Sequence, residues 1–545
     1  MRENGRKLLL EVEELSLRYP GRSSATLRGV NLRVYSKQLV LLAGPSGCGK
    51  STLLGCLNGL LFRESSAEIG GVVRVAGQDI RGLSLGQICR MVGTVFQNPE
   101  TQICTHSVES EVAFGLENLN LEPQVIAQRI DEVLQLVGLA EQRYQRTDAL
   151  SGGQKQRLAI ACALALRPQI LLLDEPLSQL DPRGAREILE LMVRLHAAGE
   201  GAMIVVEQRL EEVLPLADHV VLMDGGSVVF QGSPRQIACR LELLKDLGLN
   251  VPLLPEAFSR LGRTERPLVP EEAPLLPARH VCPTSRPQRG PVILKLSHLE
   301  GGYDSGRSPV LRDICLEFCE GDRVALMGAN GSGKTTLLSI LSGLLRPWSG
   351  RLEWKNLTPR VGLVMQSPDL MLFCDSVREE LGFAPRELGF PKPEQQAVVA
   401  ELLHRLDLES LGEESPFALS RGQRLRVAIG SVMTMRPNVL LLDEPTAGQN
   451  LRQVDRIMSL LKMGMKLVVF CTHDVQLACR HATRLVLLDE GEVVFDGLPE
   501  DALFEEALLE RTSLRRTGLQ EFAFKLGIRA LGMEDLLAAI QVEDR

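Results

Sequence analysis

Two short stretches of this sequence combine glycine, lysine and hydroxyl residues in a pattern suited to phosphate chemistry. They read G-P-S-G-C-G-K-S at Gly44 to Ser51 and G-A-N-G-S-G-K-T at Gly328 to Thr335. The glycines let backbone N–H groups curl around phosphate oxygens, and the following helix directs its positive end at them. The lysine is expected to reach the β- and γ-phosphates, and the last hydroxyl to bind Mg²⁺. The predicted nucleotide-binding residues here are Gly44, Pro45, Ser46, Gly47, Cys48, Gly49, Lys50, Ser51 and Thr52, and Gly328, Ala329, Asn330, Gly331, Ser332, Gly333, Lys334, Thr335 and Thr336.

An acidic pair ends an apolar run in each half, as Asp174-Glu175 and Asp443-Glu444. An aspartate at the C-terminal edge of a parallel sheet is placed to hold a metal ion, and the next glutamate is placed to accept a proton from attacking water. The alternative is that each pair merely caps a buried strand. A glutamine at matched spacing in each half offers a neutral oxygen to the metal or water. The predicted metal ligands are therefore Ser51, Gln97, Asp174, Thr335, Gln366 and Asp443.

Two further pairs of residues lie at matched positions in the two halves, and one of these pairs differs in chemistry. His473, in F-C-T-H-D, is placed to contact the γ-phosphate, whereas V-V-E-Q-R in the first half puts Gln208 there. Glutamine can donate a hydrogen bond but cannot become cationic, so its hold on a developing charge should be weaker. Tyr19 and Tyr303 lie at matched offsets and can stack on adenine, although a half-buried strand aromatic would also explain them. The predicted catalytic residues are Glu175, Gln208, Glu444 and His473.

Matched spacing shows that two whole domains are repeated. Each tyrosine lies 25 residues before its phosphate loop, and each aspartate lies 23 residues after the serine of a signature stretch. These stretches read L-S-G-G-Q-K-Q-R at Leu150 to Arg157 and L-S-R-G-Q at Leu419 to Gln423. Apolar strands alternate with helical patterns, which predicts parallel α/β sheets. The predicted boundaries are a first domain at 8–261, a proline-rich linker at 262–291, a second domain at 292–500 and a helical tail at 501–545.

Composition narrows the class of protein. The 545 residues carry a net charge of −8 and 44% hydrophobic residues, which fits a globular protein and argues against a nucleic-acid binder. No apolar run approaches the roughly 18 residues that span a bilayer, so the chain is expected to be cytoplasmic unless a partner holds it at a membrane. Twelve cysteines occur without a C-x-x-C pair, and the strand-like context of Cys315 and Cys319 predicts buried thiols rather than a metal site.

The phosphate loops, signatures and acidic pairs together resemble the ATP-binding cassette family, over roughly 8–240 and 292–497. The resemblance implies two tandem nucleotide-binding domains, each with a phosphate-loop core sheet, an antiparallel β subdomain and a helical subdomain. It also implies that the two domains pair head to tail within the chain, with each ATP between one phosphate loop and the other signature. The signature residues implied to contact nucleotide are Ser151, Gly152, Gly153, Gln154, Ser420, Arg421, Gly422 and Gln423.

Three departures from the family pattern are implied to lie in the same ATP site. Arg421 replaces a signature glycine, Asn450 stands where the first half has Asp181, and Gln208 replaces a histidine. All three map onto the ATP site that joins the first phosphate loop to the second signature. We expect one strong hydrolytic site and one altered site, with neutral drift in a still active site as the alternative.

Within the family, Q-N-P-E-T-Q at Gln97 to Gln102 and Q-S-P-D-L-M-L-F at Gln366 to Phe373 look like the ATPases of energy-coupling factor importers. That resemblance implies ATP and Mg²⁺ as cofactors and two membrane partners, an integral scaffold and a small substrate-binding subunit, at the cytoplasmic face of the cell membrane. Glu100 and Asp369 are hypothesised to pair with scaffold arginines, or else to be solvated. The rival classes are a fused sugar-importer ATPase, a ribosome-binding duplicated cassette and an exporter half.

Overall fold

The computed structural model of the chain describes residues 2–3, 5–21, 24–63, 66–178, 180–199, 201–278, 289–304, 308–445, 451–460, 464–512 and 514–540. The chain divides into two units, Met1–Glu272 and Ala273–Arg545. Each unit contains one mostly parallel sheet and one antiparallel sheet, with helices packed around them. The predicted α/β architecture with two tandem domains is therefore confirmed.

The strands of the first unit supply both of its sheets. In chain order they are β1 (Arg2–Glu3), β2 (Arg6–Arg18), β3 (Leu27–Tyr35), β4 (Leu39–Ala43), β5 (Glu68–Val75), β6 (Gln78–Asp79), β7 (Val92–Val95), β8 (Ile170–Asp174), β9 (Ala202–Val206), β10 (His219–Asp224) and β11 (Ser227–Gly232). The larger sheet has the order β11-β10-β4-β9-β8-β7, and only β11 runs antiparallel to its neighbour. The other sheet has the order β1-β2-β5-β6, with β3 paired to β2. Every residue of β4, β8 and β9 is buried, as expected for strands covered on both faces.

The helices of the first unit cover these sheets. They are α1 (Lys50–Leu57), α2 (Leu85–Cys89), α3 (Val108–Asn118), α4 (Pro123–Val137), α5 (Gly152–Ala165), α6 (Pro182–Ala198), α7 (Leu210–Val213), α8 (Pro234–Ala238), α9 (Leu241–Asp246) and α10 (Leu253–Arg260). Helices α3, α4 and α5 pack on one another and form a helical layer beside the parallel sheet. A second core lies between the antiparallel sheet, α1 and the other face of the parallel sheet.

The second unit repeats this plan with fewer strands among its described residues. Its strands are β12 (Val292–Gly301), β13 (Leu311–Cys319), β14 (Asp322–Met327), β15 (Ser349–Trp354), β16 (Val361–Val364), β17 (Val439–Asp443), β18 (Leu467–Cys471), β19 (Arg484–Asp489) and β20 (Glu492–Gly497). The parallel sheet has the order β16-β17-β18-β14-β19-β20, with β20 antiparallel, and the second sheet has the order β13-β12-β15. The parallel strands therefore follow the same order in both units.

The helices of the second unit extend into the C-terminal segment. They are α11 (Lys334–Leu341), α12 (Val377–Glu387), α13 (Lys392–Arg405), α14 (Arg421–Met433), α15 (Leu451–Leu460), α16 (Val475–His481), α17 (Pro499–Leu503), α18 (Glu506–Thr512), α19 (Gly518–Lys525) and α20 (Met533–Ala539). In the proline-rich segment, Glu272 pairs with Arg235 of α8, and Ala278 forms a β-bridge with Ile540. Among the described residues, no helix has both the length and the apolar character needed to cross a bilayer.

One prediction about the cysteines is wrong. Cys319 is buried, but Cys315 is exposed. Residues four apart share a face in a regular strand, but the pairing register between β12 and β13 shifts near Cys319, so Phe318 and Cys319 are both buried. Cys315 keeps the outward orientation of its strand neighbours Asp313 and Glu317.

Candidate functional site

The first phosphate loop lies between β4 and α1. A Cβ on Gly44 would lie 2.3 Å from the carbonyl oxygen of Met223, so a side chain cannot be accommodated there. Gly49 has a φ of 107°, a left-handed conformation that favours glycine. The buried Lys50 ammonium donates to the carbonyl oxygens of Gly44 and Pro45 at 2.7 and 2.9 Å. The loop is thus wrapped around the lysine at the N-terminus of α1, which is the arrangement that binds phosphate.

The second loop, between β14 and α11, has the same geometry. Lys334 donates to the carbonyl oxygens of Gly328 and Ala329, both at 2.9 Å. Gly333 has a φ of 99°, close to its counterpart in the first unit. Both units therefore present an equivalent phosphate cradle.

A hydroxyl and a carboxylate meet beside each loop. Thr335 Oγ1 donates to Asp443 Oδ2 at 2.7 Å, and the Ser51 side chain bonds to Asp174. Burial, followed by the charge of Glu175, raises the pKa of Asp174 to about 6, and burial also raises the pKa of Asp443. A cation would compensate for this desolvation, and hydroxyl and carboxylate oxygens are the ligands that Mg²⁺ prefers. The residues present therefore fit a magnesium ion.

In the first unit, Glu175 is held by two neutral amides. Gln97 Nε2 donates to its Oε2 at 2.7 Å, and Gln208 Nε2 donates to its Oε1 at 2.6 Å. Both carboxylate oxygens are therefore engaged. The backbone of Glu175 has a φ of 45°, which is a strained left-handed conformation for a residue with a side chain.

In the second unit, the corresponding glutamate lies beside an imidazole. His473 Nε2 lies 3.2 Å from Glu444 Oε1, and both side chains are largely buried. Glu444 has a φ of 51°, so the backbone matches that of Glu175. Gln366, the counterpart of Gln97, is exposed. The structure thus brings the predicted histidine and glutamate together, whereas the first unit has an amide in place of the imidazole.

Both signature stretches begin a helix. Ser151 and Ser420 cap α5 and α14, and each forms a capping box with the glutamine three residues later. Ser151 and Gly152 are exposed, and a Cβ on Gly152 would meet no atom within 4 Å. The fold of the first unit alone does not require glycine there. Arg421, at the equivalent position, is exposed at the first residue of α14.

The two tyrosines differ in burial. Tyr303 is 68% exposed and its hydroxyl lies 3.4 Å from Thr336 Oγ1. Tyr19 is half buried against the core of the antiparallel sheet. Tyr303 therefore presents an accessible ring, while Tyr19 also packs internally. Asn450, the third departure of the altered site, lies outside the described residues.

Glu100 and Asp369 have partners that the sequence did not predict. Lys155 Nζ lies 2.5 Å from Glu100 Oε1, and Arg424 Nη1 lies 2.7 Å from Asp369 Oδ1. Each carboxylate is thus paired within its own unit, and its side chain also remains exposed to solvent. The signal was present, because Lys155 and Arg424 each stand four residues after a signature serine.

A buried carboxylate beside Gln208 was also missed. Glu207 is 2% exposed and accepts backbone N–H bonds from Leu177, Gln208 and Arg209 at 3.3, 2.8 and 3.1 Å. Burial raises the pKa of Glu207 to about 7, although the charge of Arg209 and the backbone N–H groups of Arg209 and Gln208 act to lower this pKa. In the second unit, Thr472 stands at the equivalent position, and its hydroxyl accepts a bond from the nearby Asp474 N–H at 3.0 Å. Glu207 therefore ties the segment after Glu175 to the segment that carries Gln208.

The repeated combination of a phosphate loop, a hydroxyl–aspartate pair and a following glutamate defines a P-loop ATPase with two tandem domains. The ABC transporter family matches residues 27–178 and 311–447, which is more than half of the chain. The chain belongs to this family. It is an ATP-binding ATPase subunit of a transporter.

Known relatives cover nearly the whole chain. A protein of Methanosarcina acetivorans named an ABC transporter ATP-binding protein is 38% identical and aligns over 99% of this chain and 92% of its own length. Bacillus subtilis YkoD, named an HMP/thiamine import ATP-binding protein, is 34% identical over 90% of this chain and 92% of its own. The solved structure of CbiO1 from Clostridium perfringens, described as part of an ABC transporter complex, is 30% identical, covers 46% of this chain and 99% of its own, and has a TM-score of 0.41.

Proposed function

We propose that this chain is the motor subunit of an energy-coupling factor importer that takes up a vitamin or a transition-metal ion. The name of its relative YkoD, an HMP/thiamine import protein, supports an import function. The stretches Gln97 to Gln102 and Gln366 to Phe373 support the energy-coupling factor type. The partners would be an integral-membrane scaffold and a small substrate-binding membrane subunit. They would hold the chain at the cytoplasmic face of the membrane.

The two units are proposed to pair head to tail, so that each ATP is bound by one phosphate loop and the opposite signature. Gly152 supports this pairing, because nothing in its own unit approaches the position of a Cβ. An exposed helix N-terminus favours an anion, and a missing side chain allows its close approach. The first signature would therefore close on ATP held by Lys334. Tyr19 and Tyr303 would stack on the two adenines.

The two composite sites would differ in hydrolysis. The intact site would join the second phosphate loop, Glu444 and His473 to Ser151–Gln154. The altered site would join the first phosphate loop, Glu175 and Gln208 to Ser420–Gln423. The main observation in support of this difference is that side-chain amides donate hydrogen bonds to both carboxylate oxygens of Glu175, whereas Glu444 lies beside an imidazole. Glu175 would keep lone pairs for an attacking water, but its amide neighbours cannot supply the positive charge that an imidazole can offer.

Magnesium would be held by the hydroxyl and carboxylate oxygens beside each loop. These ligands are Ser51 and Asp174 in the first unit and Thr335 and Asp443 in the second, each with its glutamine, Gln97 or Gln366. Bound Mg²⁺ supplies charge neutralisation at the β- and γ-phosphates. The protein residues orient the phosphates and position the glutamate that accepts the proton from water.

The decisive experiment compares Glu444→Gln with Glu175→Gln in the chain assembled with its membrane partners. We expect Glu444→Gln to lower steady-state ATPase activity by about 100-fold and Glu175→Gln by less than about 5-fold. Equal losses would refute one dominant site. The class of partner is tested by the proteins that co-purify with the chain, because a multi-span scaffold supports import whereas ribosomes would overturn it.

A further inference from the structure

Three potential metal ligands meet on the exposed face of the antiparallel sheet in the second unit. They are His298 on β12 and Asp313 and Cys315 on β13, here called the His298 cluster, and their ligand atoms all lie within 4.8 Å of one another. His298 Nδ1 lies 2.6 Å from Asp313 Oδ1 and 3.8 Å from Cys315 Sγ. The side chains of His298 and Asp313 are 80% and 70% exposed. The three groups are therefore close together and accessible from solvent.

The first unit shows that the fold does not need this set of side chains. The 284-residue offset that relates Tyr19 to Tyr303 places Glu14, Gly29 and Asn31 at the equivalent positions. There, the Glu14 backbone N–H donates to Asn31 Oδ1 at 3.0 Å, and Asn31 Nδ2 donates to Glu14 Oε1 at 2.7 Å. One carboxylate–amide pair is thus enough to link the two strands.

The second unit replaces that pair with chemically different groups. Asp313 occupies a left-handed position, φ 48°, where the first unit has Gly29 at φ 57°. A side chain at such a position costs backbone free energy that glycine avoids. An imidazole, a carboxylate and a thiol thus converge where one hydrogen-bonded pair would be sufficient.

We propose that the His298 cluster binds a divalent transition-metal ion of the Zn²⁺ type. Thiolate and imidazole are preferred by Zn²⁺ and its neighbours, whereas Mg²⁺ and Ca²⁺ prefer an all-oxygen set. Three protein ligands leave a fourth tetrahedral position to water. Because the ligand atoms of such a site stand roughly 3 to 4 Å apart, the His298–Asp313 contact must widen slightly, which two exposed side chains can do by rotating.

The main chain also positions the sulfur of this cluster. The backbone N–H of His298 donates to Cys315 Sγ at 3.3 Å, so the thiol is fixed between β12 and β13 next to the imidazole. Lys295 and Glu317, on the same two strands, form their own ion pair at 2.5 Å.

The test uses the full chain, stripped with a chelator and kept free of nucleotide, and titrated with Co²⁺. We expect one equivalent of tetrahedral Co²⁺ with a thiolate-to-cobalt charge-transfer band, and displacement of that band by Zn²⁺. Cys315→Ser should abolish the band. His298→Ala and Asp313→Asn should each weaken binding by at least about 10-fold.

Cys104→Ser is the matched control, because Cys104 is an exposed cysteine of the first unit. It should leave the band and the stoichiometry unchanged. Unchanged circular dichroism and ATPase activity show that each variant is folded. A band that persists in Cys315→Ser, or that Cys104→Ser removes, would overturn the proposal, because Co²⁺ would then be bound by other thiols. Absence of stoichiometric binding by the unsubstituted chain would also overturn it.

Discussion

The glutamates that follow β8 and β17 share a backbone but not their surroundings. Glu175 and Glu444 have φ angles of 45° and 51°, and each follows a fully buried strand that ends in an aspartate. Amides engage both oxygens of the first glutamate, while an imidazole contacts the second. Amide donors hold a carboxylate in place without exchanging a proton, whereas an imidazole can also donate or accept one near neutral pH. The comparison teaches that the halves can diverge in chemistry without diverging in fold.

The largest expected effect comes from exchanging the signature residues that differ. On the proposed head-to-tail pairing, Gly152→Arg should lower steady-state ATPase activity of the assembled transporter by about 1,000-fold, because a guanidinium side chain would obstruct the phosphate that this signature is proposed to contact. The fold should survive, since a Cβ at this position meets no neighbour. Arg421→Gly is the matched control and should leave activity unchanged or slightly higher. Equal losses in both variants would break the distinction between the sites.

Glu207 provides a second test, through pH and stability. Burial raises the pKa of this carboxyl from 4.5 to about 7, so between these values the folded chain retains a proton that the unfolded chain has lost. Stability should therefore fall as pH rises through this window, by about 3 kcal/mol for this group. Glu207→Gln cannot titrate. The free energy of unfolding of Glu207→Gln, minus that of the unsubstituted chain, should therefore increase by about 3 kcal/mol from pH 4.5 to pH 8.

Calorimetric unfolding of the full chain at both pH values measures this difference. Comparing the variant with the unsubstituted chain at each pH cancels the other titrating groups. A difference between the two proteins that does not change with pH would contradict the effect assigned to burial of Glu207.

The imidazole and the amide can themselves be exchanged. His473→Gln should lower single-turnover hydrolysis by about 10-fold, because the amide cannot stabilise developing charge as a cation does. Gln208→His should raise hydrolysis only a few-fold, since the altered site keeps its other departures. Rapid-quench measurement with one ATP per chain tests both variants. If Gln208→His alone made the two sites equally active, Arg421 would have no part in the asymmetry.

The smallest expected effect concerns the ion pairs beside the signature helices. Glu100–Lys155 and Asp369–Arg424 are partly exposed, so each should contribute about 0.5 kcal/mol or less to stability. A double-mutant cycle with Glu100→Gln and Lys155→Met measures the first pair, and the same cycle on Asp369 and Arg424 measures the second. Similar coupling energies would show that the units match here. A coupling above about 2 kcal/mol in one pair would reveal a further asymmetry.

Much of the fold could be predicted from the sequence because its signals are local and repeated. The apolar runs before Gly44 and Gly328 predict buried strands, and the glycines predict tight loops. Asp174 and Asp443 lie at the ends of such strands, so their place at the sheet edge follows from topology.

Other features depend on tertiary contacts that no local pattern specifies. Lys155 and Glu100 are 55 residues apart and meet only because α5 packs beside the segment after β7. Glu207 would ordinarily be predicted as exposed, since charged residues are rarely buried without a partner. Cys315 and Cys319 have different environments because of a register shift, which is not visible in the sequence.

At Glu175 and Glu444, the left-handed backbone lowers the stability of the fold, whereas the side chain is the one proposed to accept a proton from water. A glycine at either position would relieve about 1 kcal/mol of backbone strain and would remove the carboxylate at the same time. Loss of this side chain is therefore the change that the backbone itself favours. The glutamate is present at both positions despite this cost. If hydrolysis in one half became unnecessary, replacing its glutamate by glycine would relieve the backbone strain, remove the hydrolytic carboxylate and leave the sheet intact.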